Sequence, residues 1–248
     1  MKIFRCLFIV FIFVFLFGIN ATKLLSQTYE INSFEISRKE RVYFKQFGTV
    51  EVRAVEELNK LPRVVFVDVK TKKVLSKIEI GKSEPDIFTI EDFSSRKSYP
   101  NVTFKILHIK GLPDPLVLAT TVYAGGSDTA YEFSVIGAKD KAIQTLTPEP
   151  IFINTQGGIF VGYLGKKRGL GVAAWNFIWD DGAHYDLHRY KVNIYTFDNK
   201  TLEFKKGETL ESKNKYKPRG EGALRELNLR VTDLRKTMRG LEYLKEKY

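Results

Sequence analysis

The sequence predicts a mainly β protein: an antiparallel β-sandwich or barrel, or an incomplete propeller-like assembly, followed by a C-terminal amphipathic α-helix. Apolar and polar residues alternate through much of residues 28–204. That stretch is rich in Val, Ile, Phe, Tyr and Thr, which suit a pleated, half-buried surface. After residue 220 the apolar spacing changes to three and four, the period of a helix.

The N-terminus reads as an export signal. Lys2 and Arg5 precede an unbroken apolar run, Cys6–Phe17, followed by Gly18, Ile19, Asn20 and Ala21. A basic start, a short apolar middle and small residues at the end make a signal peptide over residues 1–21, with an end that can reach 27. The run of 12 residues is short for a membrane-spanning helix, which needs roughly 20. The expected location is therefore secreted, periplasmic or otherwise in the cell envelope. Cys6, the single cysteine, lies inside this leader, so residues 28–248 contain neither a disulfide nor a thiolate.

Net charge is +11, and residues 205–248 hold 13 Lys and Arg against 7 Asp and Glu. The basicity reads as concentrated in the tail. For an exported chain this points to an anionic envelope polymer, a glycan or a membrane surface as partner, and away from nucleic acid.

Individual strands follow from the pattern. Val64–Val69 and Pro115–Tyr123 are apolar enough to be buried on both faces. Val102, Phe104 and Ile106 alternate with polar residues, which puts His108 on their face; His188–Ile194 alternates too. Only Glu51–Lys60 offers room for a turn or two of helix. Three segments share one layout, a strand, a Lys-containing turn and a returning strand: Val67–Leu75, Ser134–Ile143 and Ile194–Leu202. Such hairpins suit propeller blades and sandwiches alike.

Residues 205–220 are polar and charged, closed by Pro218 and Gly220, and read as a linker. Beyond it Leu224, Leu227, Val231, Leu234, Met238 and Leu241 form a narrow stripe that predicts a helix over 221–247, docked on the β body or paired with a second copy.

Two places can carry a site. Asp181, His184, Asp186 and His188 lie in the densest polar cluster of the chain. On a strand, neighbours on one face stand about 7 Å apart, so pairs of them can close on zinc; the carboxylates equally suit calcium. Trp175, Phe177 and Trp179 alternate along one strand, and Tyr185 follows, so Trp175, Trp179 and Tyr185 offer either core or a sugar-stacking platform. The Gly-flanked hairpin tip Lys166-Lys167-Arg168 can meet an anion, but it matches no phosphate-binding loop.

With no nucleophile in a recognisable context and no catalytic cysteine, the leading expectation is an exported, non-enzymatic binding protein. Its surface combines the 180–188 loop with the 165–169 tip, and no cofactor is expected. The alternatives are a metal-dependent hydrolase or a calcium- or zinc-binding domain on the Asp/His cluster, and a structural subunit assembling through the C-terminal helix.

Overall fold

The computed structural model describes residues 34–57, 60–81, 102–125, 128–154, 156–179, 183, 185–229 and 237–239. The expected signal peptide, Asp181, His184 and most of the second half of the expected C-terminal helix lie outside them. The described residues from Ile36 onward belong to one compact unit.

The chain is mainly β, in three antiparallel sheets, and the described strands close no barrel. Sheet A is a meander of β1 (Phe34–Phe44), β2 (Gly48–Glu57), β3 (Arg63–Asp68) and β4 (Val74–Glu79). Sheet B contains β5 (Val102–Leu107), β6 (Leu116–Gly125), β7 (Asp128–Lys139), β8 (Ala142–Thr145) and β9 (Ile151–Asn154). Sheet C orders β13 (Glu203–Glu211), β12 (Tyr190–Asp198), β11 (Leu170–Phe177), β10 (Gly158–Tyr163) and β14 (Thr237–Arg239). One short helix, α1 (Glu221–Glu226), follows β13.

The sheets stack in three layers, A on B on C, a less common arrangement than two. Side-chain alternation explains why. Val117 and Ala119 on β6 join Val52, Val64 and Phe66 of sheet A in one core. Leu116, Leu118 and Val122, on the opposite face of β6, join Val161, Val172 and Ala174 of sheet C in a second. Sheet B therefore has apolar residues on both faces, which is why Leu116–Val122 is a nearly unbroken apolar run. A third core lies on the outer face of sheet C, where Trp175, Tyr190 and Val192 meet Ala223 and Leu224 of α1.

The three look-alike segments are hairpins, one in each sheet. Asp68 and Asp198 build similar turns: Asp68 Oδ1 accepts from the amides of Lys70 (2.7 Å) and Thr71 (3.0 Å), and Asp198 Oδ1 from those of Lys200 (2.8 Å) and Thr201 (3.4 Å). The β7–β8 turn is shorter and uses Asp140 and Lys141, both at positive φ. The hairpins are layered rather than radial, as a sandwich requires.

Pairing registers align the sheets. The β1–β2 turn lies beside the β3–β4 tip, because Val50 pairs with Asp68. The Lys45 amide donates to Asp114 in the β5–β6 loop. Leu107 pairs with Leu116 and Val117 with Ile136, so the β7–β8 tip lies at that same end. Lys139 at this tip pairs with Glu203, and the Tyr163 hydroxyl donates to the Lys110 carbonyl at 3.3 Å, bringing in the β12–β13 and β10–β11 tips. We call this the tip end; Ile178, Trp179 and His188 lie at the other.

Several expectations need correction. Glu51–Glu57 is strand, paired with β3, and not helix. His108 is exposed, because β5 stops at Leu107 and His108 begins the loop. Residues 205–211 are not linker but β13, an edge strand whose Lys205, Lys206 and Glu208 face water. The C-terminal helix is far shorter than 221–247. It ends at Glu226, Asn228 takes a φ of 54°, and Thr237–Arg239 pairs with β10 as a strand.

Candidate functional site

Trp175 and Phe177 of strand β11 and Trp179 just beyond its end alternate along the chain, and their environments differ. Trp175 is 1% exposed, Phe177 6% and Trp179 59%. Trp175 is thus core, and its Nε1 donates to the Arg219 carbonyl at 3.0 Å. This removes it from the expected sugar platform. Gly158 on the neighbouring strand makes room for it: a Cβ there would come within 2.3 Å of the indole.

Trp179 lies past the end of β11 but stays in line with it, because the Ile178 amide donates to the Arg189 carbonyl at 2.7 Å. The indole is nearly parallel to the His188 ring and offset from it, with 6.3 Å between centroids and 19° between planes. Phe177 supports His188 from a second side at 4.8 Å. His188 is 1% exposed. Its Nε2 stands 2.9 Å from the Ala183 carbonyl oxygen, which can only accept, so Nε2 carries a proton. Nδ1 is buried without a hydrogen-bond partner.

Asp186 turns the loop, accepting the Ala183 amide at 2.7 Å. Tyr185 and Leu187 are left outward, 87% and 52% exposed. Trp179, Tyr185 and Leu187 are thus three exposed apolar side chains within ten residues of sequence, and Trp179 lies beside the buried His188.

The adjoining segment is tied on from the other side. His188 and Tyr216 exchange backbone hydrogen bonds at 3.0 and 2.8 Å, which sets Leu187 beside Lys217 and Arg189 beside Lys215. The Tyr190 hydroxyl donates to the Lys217 carbonyl at 3.2 Å, and burial pushes that hydroxyl up to about 12. Glu226 of α1 completes the clasp. It accepts from the Lys213 amide (2.7 Å), the Asn214 side chain (3.1 Å) and the Tyr216 hydroxyl (2.7 Å), which together hold its carboxyl down at about 2.

The expected metal cluster is only half described. Asp181 and His184 lie outside the described residues, while Asp186 and His188 each spend one polar atom on Ala183. Among the described residues no three His, Cys, Asp or Glu converge as metal ligands.

Lys166, Lys167 and Arg168 sit at the tip end, separated from Trp179 by the length of β11, about 25 Å of strand. The composite surface expected from the 180–188 loop and the 165–169 tip is therefore two separate surfaces. Arg168 pairs with Glu208, whereas Lys166 and Lys167 are exposed. Leu187 and Lys217 were not singled out by the sequence. Their nearness depends on the His188–Tyr216 bridge, which joins residues 28 apart and leaves no local pattern.

No protein-family model, curated protein or solved structure matches the chain.

Proposed function

We propose that the protein is an exported, non-enzymatic binding protein that takes an acidic glycan at the Trp179 surface. The observation that carries this reading is the exposed Trp179 indole set nearly parallel beside a buried, aromatic-backed His188. An indole fixed in this way offers a sugar ring a face to stack on without an ordering cost at binding. Tyr185 and Leu187 extend the apolar area, and exposed Lys217 beside Leu187 supplies a positive charge for a carboxylate. A metal-dependent reading has less support, since both described members of the Asp/His cluster are occupied in holding the loop turn.

Calorimetric titration with oligogalacturonate tests the proposal. Trp179→Ala is expected to weaken binding about tenfold, the factor carried by 1.4 kcal/mol, and Lys217→Gln to weaken it less. Wild-type protein that does not bind, or a Trp179→Ala variant that binds equally well, would count against this surface.

A further inference from the structure

The opposite end of the sheet stack has a different chemistry. We propose that the tip end docks onto an anionic phospholipid surface, an activity independent of the Trp179 surface.

The tip end is basic in a way that the sequence totals conceal. Each sheet delivers lysines there on turns. Sheet A brings Lys70, Lys72 and Lys73, sheet B brings Lys110 and Lys141, and sheet C brings Lys166, Lys167 and Lys200, all exposed. None of these eight forms an ion pair with another described residue. The carboxylates at this end are largely committed. Asp68 and Asp198 accept turn amides, Asp114 takes the Lys45 amide, Glu203 pairs with Lys139 and Glu208 with Arg168. Glu203, Glu208 and Asp198 are each balanced by a cation outside the eight, Lys139, Arg168 and Lys205, and the other turn carboxylates, Asp68, Asp114 and Asp140, are fewer than the eight lysines, so this end stays positive.

Apolar side chains accompany it. Of the eight large hydrophobic residues exposed among those described, four stand at this end: Tyr43, Val74, Tyr163 and Leu202. Val74 opens the strand after the Lys72-Lys73 turn. Leu202 sits in the β12–β13 turn at a φ of 54°, a backbone position that favours Gly or Asn. Neither placement helps a water-facing turn. Both suit a turn that enters the headgroup region while its lysines meet lipid phosphates. A soluble polyanion would use the lysines and leave the apolar tips without a role, so the bilayer is the better match. Three sheets about 10 Å apart spread the lysines over an area, as contact with a surface requires.

The experiment is co-sedimentation of the full chain with vesicles of phosphatidylcholine, with and without phosphatidylglycerol. The phosphatidylglycerol-dependent part is the readout, and the tip variants below separate it from the N-terminal segment, whose Lys2 and Arg5 also favour anionic headgroups. Two variants at exposed positions keep the fold. The first is Lys72→Asn/Lys73→Gln/Lys141→Asn, with Asn at the two positive-φ sites; the second is Val74→Thr/Leu202→Asn, which leaves the charge unchanged. The expected result is binding that requires phosphatidylglycerol, falls as salt rises, drops about tenfold in the lysine variant and falls several-fold in the apolar variant. Trp179→Ala should leave it unchanged, which separates this surface from the glycan reading. Equal binding to both vesicle types, or an unaffected lysine variant, overturns the proposal. So does an unaffected apolar variant whose wild-type parent binds polyphosphate as tightly as vesicles; that result would assign the lysines to a soluble polyanion.

Discussion

Glu226 accepts a hydrogen bond from the Tyr216 hydroxyl at 2.7 Å and so joins helix α1 to the segment running alongside the Trp179 surface. The same carboxylate also takes the Lys213 amide, so the ionised form is the one that holds the clasp.

A pH dependence follows from the sign of that shift. The folded-state carboxyl lies at about 2, below its ordinary value of 4.5. Its contribution to stability is complete above pH 4.5 and is lost as pH falls from 4.5 towards 2. Thermal melts across that window should therefore fall more steeply for wild type than for Glu226→Gln, and the two should differ most near neutrality. Parallel curves would show that the carboxylate does not hold the segment.

Gly220 takes a φ of 69° just before α1, and a Cβ there would come within 2.8 Å of the Tyr190 ring. Gly220→Ala should lose about 1–2 kcal/mol from the backbone alone. The clash with Tyr190 adds to that, and urea denaturation is the measurement. An unchanged midpoint would mean that the 217–220 segment readily adjusts.

Trp179→Ala removes a ring that packs at a tilt against Phe177 and beside His188 but leaves the three cores intact. The expected stability loss is about 0.5–1.5 kcal/mol, the usual value of such aromatic pairs. That is about the size of the 1.4 kcal/mol by which binding should weaken. The comparison needs one melt and one titration on the same preparation.

Leu118 is fully buried on the face of β6 that meets sheet C. Leu118→Ala should lose about 2–5 kcal/mol, well above the loss at Trp179. The contrast between the two variants in the same denaturation series checks that the Trp179 loop is peripheral to the fold.

How much of this was legible in the sequence varies by element. The doubly apolar run of β6 reads directly as a buried strand, and the Asp-containing Lys turns read as hairpins. The alternation of Trp175, Phe177 and Trp179 is correct, but not which of them reaches water, because that depends on where Gly158 and α1 cover the strand. Strand β13 resembles a linker because an edge strand with a solvated face carries the same Lys and Glu as a loop. The C-terminal stripe has helical spacing from Leu224 to Leu241, yet tertiary pairing of Thr237–Arg239 with β10 overrides local preference. Charge totals place the basicity in the tail. Only the alignment of three sheets shows that lysines far apart in sequence share one end.

The central position of sheet B has a consequence for local opening. Peeling away either outer sheet would bare a continuous apolar slab, so no partial opening that frees β6 comes cheaply. Its amide protons should exchange with solvent only when the entire molecule comes apart, making β6 an internal gauge of global unfolding, while the peripheral clasp around α1 breathes on its own.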